Sequence, residues 1–244
     1  MPTILGCIDG SAYGPSVCDH AAWLASGDGA DLDLLHVEEV PGKGGRLLRD
    51  AAVRLRDHGV QVGRTAIVGG PPAAALREAT AGADVVVVGK RGLSSAPDRR
   101  GLGSNAADLV RRLARPLCLV SQLYLPIHRG LVLIDGDIAH RRTIDYVTAH
   151  PVLSALELDA IVMTAAAGDP EPKLELARRA FGPQADVFAT PAADPDAAAA
   201  GYMTDHQADL IIMSREMLFG HDGSAPPRME DRAVWAWRTP LFIC

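Results

Sequence analysis

The 244-residue chain has little of what marks a metal, redox or membrane protein. Its four cysteines, Cys7, Cys18, Cys118 and Cys244, show no CxxC spacing and are expected to be buried, reduced thiols. The eight histidines form no HxH or HExxH pattern, so no metal site is expected among them. No apolar run approaches the roughly 18 residues of a membrane span, and Met1 to Ile8 leads into a strand without the charged head of a secretory signal. A cytoplasmic protein with no membrane partner is the expectation. Positive charge is not in excess either. The net charge of −6 argues against a nucleic-acid partner, since nonspecific binding needs a basic face that displaces counterions. Lysine occurs three times and asparagine once, as Asn105. With 48% apolar and 22% charged residues the chain reads as an ordinary soluble globular protein, with small ligands or other proteins as partners.

What is present is an alternation of strands and helices. Ile4 to Ile8 is a short apolar strand ending in Asp9-Gly10-Ser11, followed by helical spacing through Val17, Ala21 and Leu24. Asp31 to Val37 is a second strand, and Leu47 to Leu55 an amphipathic helix closed by Gly59. Val60 to Val68, a proline-opened helix over 71–81, the strand Val85 to Val88, a helix after Ser104 and the strand Leu117 to Val120 complete five units. Such alternation implies parallel pairing with right-handed crossovers.

The order then returns after a linker over 124–128. Asp9-Gly10 recurs 126 residues later as Asp135-Gly136, Ala83-Asp84 recurs 125 later as Ala208-Asp209, and Pro116-Leu117 recurs 124 later as Pro240-Leu241. Near-constant shifts are the sign of a duplicated unit. The spacing predicts two α/β domains, 1–122 and 128–244. In the second, Leu156 to Met163 and Ala185 to Ala189 are strands and Ala197 to Ala200 lies in a helix. Trp235 and Trp237 are read as packing residues.

The halves differ at one exit. In the first, Val85 to Val88 leads to Gly89-Lys90-Arg91-Gly92 and later to Gly103-Ser104-Asn105. Glycines beyond a buried strand, and backbone N–H groups at a helix start, make an anion cradle. Ser104 is expected to cap the following helix and Lys90, Arg91, Arg99 and Arg100 flank the loop. The basic residues read either as part of an anion site or as solvated surface. Asp9 stands where open parallel sheets bind ligands, and it equally suits a turn or cap. In the second half the equivalent exit is Ser214-Arg215-Glu216-Met217, whose glutamate and methionine would repel or crowd a phosphate. Gly101-Leu102-Gly103-Ser104-Asn105-Ala106 fits GxGxxA but follows a long loop and not the first strand, so a dinucleotide site is not inferred. There is no Walker lysine motif, no GxSxG elbow and no recognisable pair of Mg²⁺ ligands.

On Asp9-Gly10-Ser11, the strand ending in Gly89-x-x-Gly92, and the later Gly103-Ser104, the chain resembles a tandem-domain universal stress protein. The family's nucleotide-binding branch carries Gly-x-x-Gly-x(9)-Gly-Ser/Thr, and ten residues separate Gly92 from Gly103 here. The resemblance implies two Rossmann-like open parallel five-stranded sheets of order 3-2-1-4-5, flanked by helices and paired through their final strands as an intramolecular pseudo-dimer. It implies that Asp9 and the backbone near Val37 hold adenine and ribose. Gly89, Arg91, Gly92, Gly103, Ser104 and Asn105 would hold ribose and phosphates. The cofactor implied is ATP, with or without Mg²⁺, one per chain in the N-terminal half, and the role is regulatory with a protein partner the sequence does not name. A slow ATPase or phosphotransferase and a ligand-free interaction scaffold are the alternatives. Pairing of two chains into a homodimer stays open.

Overall fold

The computed structural model describes residues 2–27, 29–38, 42–93, 101–134, 138–164, 169–192, 194–218 and 238–244. Arg99, Arg100, Asp135, Gly136, Trp235 and Trp237, singled out in the sequence, lie outside the described residues. The chain divides into two compact units, with the change between Tyr124 and Leu125.

The first unit runs β1 (Thr3–Cys7), α1 (Gly14–Ala25), β2 (Asp31–Glu38), α2 (Gly44–Asp57), β3 (Val62–Gly69), α3 (Pro72–Thr80), β4 (Val85–Gly89), α4 (Ser104–Arg112) and β5 (Leu117–Val120). All pairings are parallel, in the order β3-β2-β1-β4-β5. Val85 to Val88 and Leu117 to Val120 are buried throughout, as continuous apolar runs should be when helices cover both faces. Right-handed crossovers put α1 and α2 on one face, since β1 to β3 step one way across the sheet. They put α3 and α4 on the other, since the path then reverses. The observed packing of α1 beside α2, and of α3 beside α4, agrees.

The second unit runs β6 (Arg129–Ile134), α5 (Ile138–Ala149), β7 (Glu157–Met163), α6 (Glu171–Phe181), β8 (Ala185–Thr190), α7 (Pro195–Asp205), β9 (Leu210–Met213) and β10 (Leu241–Ile243). Its strands are parallel in the order β8-β7-β6-β9-β10, which is the first unit's order repeated.

The repeated landmarks do repeated work. Asp84 Oδ2 accepts the N–H of Thr3 at 2.8 Å, and Asp209 Oδ2 accepts those of His128 and Arg129 at 3.0 Å each, so each aspartate ties the start of its unit's first strand. The Pro116 carbonyl accepts from Val86 N at 3.0 Å and that of Pro240 from Ile211 N at 3.1 Å. Duplication is therefore written in hydrogen bonds as well as letters.

Candidate functional site

Strand order reverses between β1 and β4, and open parallel sheets bind ligands outside the carboxyl ends of the strands at such a point. A cavity of about 1230 Å³ opens there in the first unit. Its wall is built from the ends of β1, β2 and β4, the start of α2 and the start of α4. Asp9, Val37, Gly89, Arg91, Gly92, Gly103, Ser104 and Asn105 all line it.

Asp9, just past β1, has both carboxylate oxygens engaged. Oδ1 accepts from Ser11 N at 3.0 Å, closing the turn, and Oδ2 accepts from Leu93 N at 2.9 Å, holding the loop after β4. Turn-former and cavity wall are thus one residue. The glycines of that loop serve the protein's own closure. A Cβ on Gly92 would lie 2.4 Å from Asp9 Oδ2, and one on Gly89 would lie 2.7 Å from Tyr13 Cβ. Only glycine lets the loop close against the β1 exit.

Val37 is placed by the end of a ladder. Ile8 N donates to Leu35 O at 2.8 Å, and the β1–β2 register stops at Cys7 with Leu35. Backbone groups of a strand in a parallel sheet point alternately to its two neighbours. Leu35 faces β1, and Glu38 faces β3, its carbonyl accepting from Gly70 N at 3.2 Å. Val37 therefore turns its N–H and C=O toward the side where β1 has ended, which is the cavity.

At the opposite end stands α4. Gly103, with φ −64° and ψ 151°, is the N-cap, and Ser104 is the first helical residue, so Ser104 does not cap the helix as the sequence suggests. Glycine, which accepts the extended cap geometry, takes that place one residue earlier. Gly103 N is held by Lys90 O at 2.8 Å, and the first intrahelical bond runs from Ala107 N to Gly103 O at 2.8 Å. The N–H groups of Ser104, Asn105 and Ala106 have no acceptor within the helix and all three residues line the cavity. They form the positive end of the helix dipole, suited to an anion. Arg91 Nε donates to Gly101 O at 3.0 Å, fixing its guanidinium beside this start.

Lys90 is a correction. It is neither solvated surface nor part of the cavity wall but 2% exposed inside the unit, and burial pushes its ammonium down to about 7. Its peptide continues the sheet, Lys90 N donating to Val120 O at 3.0 Å. His20 is buried nearby. Its Nδ1 donates to Ser16 O at 2.8 Å, and burial lowers it to about 4.

Several wall residues were passed over in the sequence: Tyr13, His36, Lys43 and Arg46. Glu38, the last residue of β2, also lines the wall. Its carboxylate accepts from Gly42 N at 2.7 Å and Gly44 N at 3.2 Å, bracing the start of α2. A carboxylate six residues before a glycine-started helix was the available signal.

No family model matches the sequence. Universal stress protein Slr1230 of Synechocystis sp. is 21% identical over 209 residues, covering 70% of this chain and 73% of that protein. In sequence and in fold the chain is similar to universal stress proteins. Among solved structures, a universal stress protein from Archaeoglobus fulgidus superposes with a TM-score of 0.76 at 16% identity, covering 99% of this chain and 97% of the other. A Pseudomonas aeruginosa protein of unknown function, PA1789, does so with a TM-score of 0.72 at 17% identity, over 100% and 92% of the two chains. Both matches span the two units, as expected of a chain built in tandem.

The second unit treats the equivalent exit differently. Ser214 follows β9, and its Oγ accepts from Met217 N at 3.4 Å at a 3-10 turn over Glu216–Leu218. Met217 is 6% and Leu218 0% exposed, so this exit leads into a buried apolar turn and not into a glycine loop. Among the described residues no group of three or more His, Cys, Asp or Glu is arranged to hold a metal ion, and no helix is long and apolar enough to cross a membrane.

Proposed function

We propose that the first unit binds an adenine nucleotide, ATP, and that its occupancy serves a regulatory role through a protein partner. The observation that carries this reading is the pairing of two complementary ends in one cavity. The N–H and C=O of Val37, turned toward the side where β1 has ended, offer a donor and an acceptor to the edge of a base. The unbonded N–H groups at the start of α4, with Arg91 beside them, offer donors and positive charge to phosphates. Asp9, between them, is placed for a ribose hydroxyl. The second unit, with Met217 and Leu218 buried at its equivalent exit, serves as scaffold, so one nucleotide binds per chain.

Thermal unfolding with and without ATP and Mg²⁺ tests this directly. Ligand at 100 times its Kd adds about 2.7 kcal/mol of stability to the form that binds it. Calorimetric titration then counts the sites. No stabilisation by ATP, ADP or AMP would sink the proposal, and two sites per chain would sink its asymmetry. Phosphate release above a Gly103→Asp control would point instead to a slow ATPase.

A further inference from the structure

The ladder between β1 and β2 stops one bond early. In a parallel pair, a residue that donates to one partner residue accepts from the residue two further on. Ile8 N donates to Leu35 O, so the next bond due is from Val37 N to Ile8 O. In its place the His36 ring sits on that carbonyl, with Nδ1 2.6 Å from Ile8 O. A carbonyl only accepts, so Nδ1 carries the proton and, in the neutral ring, Nε2 does not. The ring is held from its other edge as well. A Cβ on Gly44 would lie 2.5 Å from His36 Cδ2 and 2.3 Å from Glu38 Oε1, so α2 begins close against the imidazole only because residue 44 is glycine. His36 is 9% exposed and forms part of the cavity wall.

We propose that His36 is a positioning residue for the base end of the cavity: by taking the Ile8 carbonyl it ends the β1–β2 ladder and leaves the Val37 backbone pair for a purine edge. The affinity part of this rests on the adenine-nucleotide reading above. The ladder part stands on the unliganded protein. Without the imidazole, Val37 N–H reaches the nearest acceptor, Ile8 O, and β1 zips one residue further. The donor offered to the base is then spent inside the sheet.

The test has two arms. In the unliganded wild-type protein, nitrogen NMR should find neutral His36 as the Nδ1–H tautomer, and the Val37 amide should exchange with solvent as an unbonded group. In His36→Leu that amide should become protected. An Nε2–H ring, or a Val37 amide protected already in the wild type, overturns the proposal whether or not any nucleotide binds. The second arm compares amides that differ in reach, since asparagine nitrogen falls near the place of Nδ1 and glutamine nitrogen near that of Nε2. ATP affinity should fall about tenfold in His36→Leu and His36→Gln and stay within about threefold in His36→Asn, as for loss or retention of one buried hydrogen bond. Equal affinity in all four proteins, or His36→Asn as weak as His36→Leu, overturns the proposal while leaving nucleotide binding in place. A wild type that binds no adenine nucleotide removes the function and the affinity part together, and the tautomer and exchange still decide the ladder.

Discussion

The carboxylate of Asp9 accepts the backbone N–H of Leu93, 84 positions further along the chain, at 2.9 Å. Gly92 sits against the same oxygen, where a Cβ would be 2.4 Å away. Gly92→Ala must push the loop off Asp9 or distort the turn at Ser11. We expect a loss of about 1–3 kcal/mol in urea unfolding, the range for strain plus a lost hydrogen bond to a charged group. ATP binding should weaken in parallel, because the loop carries Arg91 to the cavity. Asp9→Ala should show both effects, and unchanged stability in either variant would mean that the clamp contributes nothing.

Gly103→Asp addresses the anion end. The new carboxylate would stand at the N-cap of α4, where it can occupy the helix N–H donors itself and repel a phosphate. Aspartate is a good cap, so the fold should hold its melting temperature while ATP binding is lost. Calorimetric titration and thermal unfolding on the same sample separate these two quantities. Binding that survives within about threefold would remove α4 from the phosphate site.

Lys90→Met addresses a group that plays no part in the wall. Burial lowers the ammonium from its ordinary 10.5 to about 7. Between these values the unfolded chain is protonated at Lys90 and the folded chain is not, so the lysine's contribution to stability rises with pH across this window. Below about 7 its cost is at full strength. The stability of Lys90→Met relative to wild type should therefore be greatest near pH 7 and fall toward pH 10. Urea unfolding at pH 7, 8.5 and 10 measures it. A difference that does not change with pH would show that Lys90 is charged in the fold throughout.

Much of this was legible in the sequence, for identifiable reasons. Buried parallel strands are continuous apolar runs, so Val85 to Val88 and Leu117 to Val120 read as strands at once. The repeat was visible because Asp84 and Asp209 hold equivalent strand starts through their side chains, and Pro116 and Pro240 stand just before equivalent last strands. Lys90 was misread because a cation beside glycines suggests an anion or solvent. Yet it lies two residues beyond Val88 on the same face of an extended chain, and that alternation pointed inward. The cap at Gly103 was missed by one residue because serine is the commoner cap. The contact of His36 with Ile8 was not legible at all. It joins residues 28 apart and depends on where a ladder stops, which composition and spacing do not encode.

His20 supplies the acid limit of stability. Its ring is 0% exposed and packs edge-on against Tyr124 with centroids 4.8 Å apart, while Nε2 is buried with no partner. Burial lowers it from the ordinary 6.5 to about 4. As pH falls through 6.5 the unfolded chain gains a proton at His20 and the folded chain does not. Stability from this residue is thus full above about 6.5 and is lost progressively down to about 4. In an NMR titration of the folded protein the His20 ring should stay neutral at pH 5.5. His20→Phe should keep the packing against Tyr124 and flatten the fall in stability between pH 6.5 and 4, at the cost of the Ser16 hydrogen bond. A His20 ring that titrates near 6.5 in the folded state would mean that water or a carboxylate reaches Nε2, and the acid sensitivity would then have to come from elsewhere.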